Sequence, residues 1–178
     1  MATIKVKEWQ VCTQQSYMFD TNIWLYIFGP IAGSERDAQR KYSDLLYDIQ
    51  NRESTIFITS LILAEYINAA LRICFSNWKR ENGVSNADYK RDYRPTNHYR
   101  DSLEDVKSQV HDILQITTRR NDDFQTMTFN ALIPYLDRDC DYNDAYILKY
   151  CMKNKFLLVT DDKDIAKQNI NETTIITR

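Results

Sequence analysis

Short apolar runs alternate with longer amphipathic stretches along this chain of 178 residues. Four of the runs are almost continuously hydrophobic and rich in β-branched or aromatic side chains, as strands buried on both faces of a parallel sheet are. They are Ser16–Phe19 and residues 55–59, 156–160 and 173–177. The pattern therefore predicts a parallel sheet with a well-buried centre.

Helical periodicity fills the segments between these runs. Apolar residues recur at three- and four-residue spacing in 60–78 and 101–117, which places them on one face of a helix. Further helices are predicted at 34–53, with Ser34 as its N-cap, and at 143–154 and 162–168. Strands that alternate with helices predict an α/β protein, an open α/β/α sandwich around a parallel sheet.

One polar segment, residues 77–100, interrupts this alternation. It holds six Lys or Arg residues against three acids, and it contains Gly83 and Pro95. Four aromatic residues are interleaved with the charges: Trp78, Tyr89, Tyr93 and Tyr99. We expect an excursion of loop and helix extension inside a single domain that spans 1–178.

Composition narrows the class of protein. Lys and Arg number 23 against 25 Asp and Glu, and 43% of residues are hydrophobic, which excludes a disordered chain. No apolar run reaches the length of a membrane span, and the first residues lack a signal-peptide core. The four cysteines form no C-x-x-C pair, so we expect reduced thiols, no zinc site and a cytoplasmic protein.

Acidic residues follow the predicted strands at the positions where parallel sheets bind ligands. These acids are Asp20, Glu65, Asp144, Asp161, Asp162 and Asp164. Several carboxylates in one cleft raise each other's pKa unless a cation neutralises them. Oxygen-only ligands favour Mg²⁺ or Mn²⁺, and two such ions would flank a phosphodiester group.

Most of these acids also have a purely structural interpretation. Asp20 would N-cap a helix that begins at Thr21, and Asp141 with Asp144 matches a variant of the capping box. The acids after residue 160 would equally suit a helix N-terminus, where the dipole favours negative charge. Glu65 lies among apolar residues, where an unpaired carboxylate is costly unless it faces solvent.

Taken together, these stretches resemble PIN-domain ribonucleases, particularly the VapC-type toxins of toxin–antitoxin pairs. The matching pieces are Phe19-Asp20-Thr21-Asn22, Thr59-Ser60 leading to Glu65, Asn143-Asp144-Ala145-Tyr146-Ile147, and Leu158-Val159-Thr160-Asp161-Asp162-Lys163-Asp164. The resemblance covers residues 16 to about 176 and implies a PIN fold with metal-dependent RNA cleavage. It implies that the metal ligands and catalytic residues are Asp20, Glu65, Asp144 and Asp162.

The resemblance implies supporting roles for four more residues. Asn22 and Thr160 match polar positions that orient ligands or water, and Asp164 matches an often acidic position of less uniform role. Asp141 stands three residues before Asp144, and Asp161 directly before Asp162. Asp144 is favoured by the Ala-Tyr-Ile that follows it, and Asp162 by its spacing after Thr160, although the sequence leaves both choices open.

Partners are inferred from charge and from the resemblance. RNA must approach a negatively charged site, so cations are expected along its path. Segment 77–100 offers Lys79, Arg80, Lys90, Arg91 and Arg94 among aromatics, a combination that holds single strands. A protein partner or simple coverage of the core would suit the same segment. The resemblance further implies an antitoxin protein and a homodimer.

Other functions stay open at this point. One is a non-catalytic PIN-like module that binds RNA or protein, and another is a housekeeping PIN nuclease acting on RNA or DNA. A phosphoryl-transfer enzyme with Asp20 as nucleophile fits less well. The haloacid-dehalogenase pattern needs a second Asp where Asn22 stands, and a receiver domain needs acids earlier in the chain.

Overall fold

Six parallel strands form one sheet in the computed structural model, which describes residues 3–138, 140–167 and 173–178. The strands are β1 (Thr3–Lys5), β2 (Ser16–Phe19), β3 (Thr55–Ile58), β4 (Thr118–Arg119), β5 (Leu157–Val159) and β6 (Ile175–Thr177). Their spatial order is β1-β6-β5-β2-β3-β4, and each pairing is parallel. The predicted parallel sheet is confirmed, with its four apolar runs as strands.

Helices cover both faces of this sheet. Within the described residues they are α1 (Thr21–Ile27), α2 (Arg36–Asn51), α3 (Ser60–Asn82), α4 (Asn97–Ile116), α5 (Ile133–Leu136), α6 (Tyr142–Asn154) and α7 (Lys163–Lys167). The predicted α/β/α sandwich is therefore confirmed. Gln168, the predicted end of the last helix, lies outside the described residues.

The centre of the core is β2, which explains its continuous apolar sequence. Tyr17, Met18 and Phe19 are fully buried between helices, and β2 pairs with β3 on one side and β5 on the other. The register places Phe19 opposite Val159. The residues that follow β2 and β5 therefore emerge side by side at the carboxyl edge of the sheet.

Two details of the element boundaries differ from the prediction. Ser34 does not cap α2, because its hydroxyl donates to the carbonyl of Ile31 (2.9 Å) and the helix begins only at Arg36. The outer strands β1 and β4 are absent from the prediction. They have three and two residues and contain mostly exposed positions, so they carry no hydrophobic signal.

Segment 77–100 is mostly helical. Helix α3 continues to Asn82 and ends at Gly83, whose φ of 66° lies in the left-handed region. A single π-helical turn spans Tyr89–Tyr93, and α4 begins soon after, with Thr96 as its N-cap. Helices α3 and α4 pack against each other. The segment thus forms the tip of a helical hairpin, which we call the α3–α4 hairpin.

The aromatic residues of this tip pack on one another. Tyr93 is fully buried, with the rings of Phe75, Trp78 and Tyr99 centred 5.2 to 5.5 Å from its own. The ring of Tyr93 lies inside the hairpin, so of the alternatives for this segment Tyr93 itself serves to cover the core. His98 is also held here, with its Nδ1 3.0 Å from the Tyr93 hydroxyl.

No disulfide joins the four cysteines, and two of them, Cys140 and Cys151, are buried. Among the described residues, no helix combines the length and apolar character needed to cross a membrane.

Candidate active site

Asp20 leaves β2 at the carboxyl edge of the sheet, where its carboxyl is buried and fully hydrogen-bonded. Oδ1 accepts the backbone N–H of Thr21 (2.7 Å), so Asp20 does cap α1. Oδ2 accepts hydrogen bonds from Asn22 Nδ2 and from the Thr160 hydroxyl, both at 2.7 Å. Burial raises the pKa of Asp20 to about 6, although these hydrogen bonds oppose the shift.

Thr160 connects Asp20 to the residues after β5. Its hydroxyl also accepts the backbone N–H of Asp162 (3.0 Å), and Asn22 Nδ2 lies 3.3 Å from it. Oδ1 of Asp162 in turn accepts the backbone N–H groups of Asp164 and Ile165, so Asp162 caps α7. The Asp162 charge contributes to the raised pKa of Asp20.

The neighbouring Asp161 is directed to other partners. Its Oδ1 accepts the Tyr42 hydroxyl (2.6 Å) and the backbone N–H of Arg178 (3.1 Å). Its Oδ2 lies 3.1 Å from the Arg178 guanidinium. Of this acidic pair, Asp162 is the residue whose charge acts on Asp20, whereas Asp161 ties the end of β6 to α2.

Glu65 reaches the site from the second turn of α3. Asn143 Nδ2, at the start of α6, lies 3.4 Å from its Oε2 and links the two helices. Partial burial and the charges of Asp20 and Asp141 raise the pKa of Glu65. Glu65 is therefore partly buried, with its carboxyl directed towards Asn143 at the start of α6.

Asp144 experiences the charges of all the other candidate ligands. Burial is the largest cause that raises its pKa to about 8, followed by the charges of Asp141, Asp20, Asp162 and Glu65. Asp141 is exposed and caps α6 by accepting the backbone N–H of Asp144 (2.9 Å). The capping interpretation thus holds for Asp141, while the side chain of Asp144 belongs to the acidic group.

These carboxyl groups match a divalent cation in ligand type and in charge. Burial is the largest cause of their raised pKa values, and their mutual charges add to it; a bound cation would relieve the repulsion between those charges. Their donors are all oxygen, the ligand preferred by Mg²⁺ and Mn²⁺. In the ranges 3–138, 140–167 and 173–178, however, no three His, Cys, Asp or Glu side chains are close enough to share an ion.

Asp164 and the five cations predicted to contact RNA lie outside this acidic group. Asp164 is exposed and pairs with Lys167 (2.8 Å). Lys79 and Arg80 occupy the last turns of α3, about 20 Å along the helix axis from Glu65.

The other three cations belong to the same tip of the hairpin. Lys90 is exposed, Arg91 pairs with Asp92 (2.8 Å), and Arg94 lies over the Tyr89 ring. None of the five lines the carboxylates, so their contact with RNA stays a prediction.

Two partners of the site carry no motif that sequence analysis would assign. Asn143 precedes Asp144 directly, and only the packing of α6 on α3 shows that it contacts Glu65. Tyr42 is 119 positions from Asp161, so no local pattern connects them.

The fold and the acidic edge define an α/β/α protein whose polar site lies at the carboxyl ends of central parallel strands. A family model of the PIN domain matches residues 17–170. The chain therefore belongs to the PIN domain family.

The fold is similar to that of a solved toxin–antitoxin structure. One match is the crystal structure of VapBC2 from Rickettsia felis bound to a DNA fragment from the promoter of that pair. The TM-score is 0.56 and the identity 20%, over 92% of this chain and 99% of that chain. PAE2754 from Pyrobaculum aerophilum matches with a TM-score of 0.47 and 14% identity over 90% and 83%. No curated protein matches the sequence.

Proposed function

We propose that this chain is a divalent-metal-dependent endoribonuclease that cleaves phosphodiester bonds at the carboxyl edge of its sheet. PIN domains are usually nucleases. The observation that carries the proposal is the network in which Asn22 and Thr160 hold the buried Asp20 beside Asp162. A carboxylate fixed by donors in this way is a preorganised ligand.

The proposal assigns a role to each acid. Asp20, Glu65, Asp144 and Asp162 would hold Mg²⁺ or Mn²⁺, which when bound lowers the pKa of water and stabilises charge on the phosphate. Asn22 and Thr160 keep the Asp20 carboxyl in one orientation. Asp141 and Asp164 act at helix N-termini, through the backbone of α6 and through the first turn of α7.

We further propose that the chain is the toxin of a toxin–antitoxin pair, supported by its similarity to VapBC2. An antitoxin protein would then cover the acidic edge, where a basic side chain offsets the carboxylate charges. A homodimer follows from the same resemblance. Gel filtration of the lone chain tests the dimer, and copurification with the product of a neighbouring gene tests the antitoxin.

Cleavage of a mixed RNA pool tests the nuclease. The wild type with Mg²⁺ or Mn²⁺ is expected to cut RNA, and Asp20→Asn is expected to lower the rate at least ~10²-fold, the scale of a lost electrostatic stabiliser. Asp37→Asn is the matched control, since Asp37 is an exposed residue of α2 that pairs with Lys41.

Three outcomes would contradict the proposal in different ways. Cleavage that survives Asp20→Asn or EDTA places the chemistry elsewhere. RNA binding without cleavage by the wild type supports the non-catalytic module instead. Faster cleavage of single-stranded DNA of the same sequence overturns the RNA assignment.

A further inference from the structure

Strand ends carry negative charge at the centre of the sheet and positive charge at its two flanks. The central strands β2 and β5 are followed by Asp20 and by Asp162. The outer strands end on cations, since Lys5 is the last residue of β1 and Arg119 is the last residue of β4. All six strands are parallel, so these cations lie at the same edge as the acids.

On the β1 flank, an open cavity of about 470 Å³ adjoins Asp162. Two of its cations are accessible to a ligand. Lys5 is exposed and donates to the main-chain oxygen of Arg178, and Lys163 is exposed and makes no ion pair within the described residues. Arg178 also lines the cavity, but its guanidinium is paired with Asp161.

On the β4 flank, a cavity of about 220 Å³ combines two cations, Arg119 and Arg120, with a helix N-terminus. Arg119 is exposed there, beside Thr59 and Ser60 at the start of α3. Helix α3 has 23 residues, and its N-cap, Thr59, makes no side-chain hydrogen bond to the first turn. The helix dipole adds positive character to this corner. It is partly offset by Asp122, whose Oδ2 accepts the Ser60 hydroxyl (3.1 Å).

The distance between the flanks suits a nucleic-acid strand of several nucleotides. Five steps of about 4.8 Å separate β1 from β4, so the edge is about 24 Å long. Tyr142 is the first residue of α6, next to Asp141 in the sequence, and it is 41% exposed, with its ring 5.8 Å from that of Tyr146. An exposed aromatic ring is a stacking platform for an unpaired base.

We propose that a single RNA strand crosses the carboxyl edge from β1 to β4. Lys5 and Lys163 hold phosphates on one flank, Arg119 holds them on the other, and one base stacks on Tyr142. This inference rests on the proposed nuclease function and specifies the path of its substrate. It assigns RNA contact to the sheet edge and not to the tip of the α3–α4 hairpin.

The salt dependence of RNA binding measures how many phosphates the protein neutralises. Binding of a fluorescent single-stranded 12-nucleotide RNA is measured by anisotropy in EDTA, on the Asp20→Asn background so that the probe stays intact. Affinity decreases with salt, so the slope of log affinity against log salt is negative. Its magnitude decreases by about 0.7 for each phosphate that the variant no longer neutralises. Lys5→Gln with Arg119→Gln is therefore expected to lower this magnitude by about 1.4.

Tyr142→Ala gives an independent signature. Stacking is not electrostatic, so this variant is expected to lose about tenfold in affinity with an unchanged salt slope. A tenfold loss with a reduced slope, or no loss at all, would remove Tyr142 from the path.

Arg80→Gln with Lys90→Gln is the matched control. It also removes one Arg and one Lys, and it lowers the formal net charge of −2 by the same amount. Its slope is expected to stay at the parent value. A reduced slope here and an unchanged one in the Lys5/Arg119 variant would overturn the proposed path in favour of the α3–α4 hairpin.

Further measurements distinguish failure of the proposed RNA path from failure of the proposed nuclease function. Lys163→Gln leaves the Lys5 hydrogen bond with Arg178 intact and is expected to lower the magnitude of the slope by about 0.7, even if the double variant proves unstable. Cleavage by the wild type together with unchanged slopes refutes the path and leaves the nuclease standing. A wild type that neither binds nor cleaves RNA refutes both, and tighter binding of duplex RNA refutes the single-strand assignment.

Discussion

The acids of this site show how residues with the same side chain take different roles. Asp161 and Asp162 are adjacent, yet one is bound by Tyr42 and Arg178 while the other joins the acidic group. Asp141 and Asp144 also differ, with Asp141 capping α6. Asp161 is thus held by partners outside the acidic group, whereas Asp141 caps a helix and still contributes its charge to Glu65 and Asp144.

The raised pKa of Asp144 predicts that the metal-free protein loses stability as pH rises. The carboxyl keeps its proton up to about pH 8 in the folded chain but releases it near pH 3.8 when unfolded. The unfolded state therefore binds fewer protons between these values, and the free energy of unfolding falls with increasing pH. Thermal unfolding in EDTA between pH 5 and 8 measures this slope.

Asp144→Asn is expected to flatten that dependence. Asp37→Asn serves as the control, because the neighbouring Lys41 and Arg40 hold the pKa of Asp37 below its usual value, outside the range tested. A metal-free wild type whose melting temperature is constant or increases from pH 5 to 8 would contradict the assignment.

At the scale of elements, the α3–α4 hairpin depends on a sharp helix end. Gly83 adopts the left-handed conformation there, and the backbone N–H groups of Gly83 and Val84 bond carbonyls of the last turn of α3. Glycine adopts this conformation without the steric cost that other residues incur. The chain can therefore leave α3 at this point and turn back towards α4.

Gly83→Ala is expected to destabilise the fold by about 1 kcal/mol, which corresponds to a decrease of about 2–4 °C in melting temperature. The space around Gly83 is open, so the cost arises from the backbone alone. Gly33→Ala is the matched control, since Gly33 also has open space but does not have a left-handed backbone. Equal melting temperatures for the two variants would show that the hairpin does not need this turn.

The sequence predicts elements well where burial imposes a pattern. Ser16–Phe19 is predicted to the residue because each of its last three side chains is buried. Strand β4 has two exposed residues and becomes visible only through its pairing with β3. The tip of the hairpin looks like a loop in sequence because its polar side chains face solvent, while Tyr93 alone is fully buried there.

The same reasoning explains how far the site could be predicted. The acids that follow strands are found because strand ends in a parallel sheet meet at one edge. The roles of Asn143, Tyr42 and Arg178 depend on contacts between distant elements, for which the sequence holds no local signal. The choice of Asp162 over Asp161 has a physical reason only when those contacts are known.

At the scale of the whole molecule, the acidic edge joins four distant parts of the chain. Asp20 follows β2, Glu65 lies in α3, Asp144 in α6 and Asp162 after β5. A cation bound to these acids would connect all of these elements and relieve their mutual repulsion. Binding of a metal there would therefore be coupled to the stability of the entire fold.

Adding Mg²⁺ or Mn²⁺ is expected to raise the melting temperature. At one hundred times the dissociation constant, a ligand that binds only the folded state adds about 2.7 kcal/mol, or about 5–10 °C here. Asp20→Asn is expected to lose most of this gain, whereas Asp37→Asn keeps it. The same gain in both variants would show that the ions act at some other place.

The strand order also determines when the edge is complete during synthesis. Strand β2 has an open side until β5 arrives, and the stretch from Asp20 to Asp162 takes roughly 7–30 s to translate. Strand β1 pairs with β6, which is synthesised after β5, so β1 stays unpaired for longer than β2 does. A nascent chain thus carries Asp20 and Glu65 long before Asp162, so the proposed cleavage of RNA would become possible only after Asp162 has been synthesised.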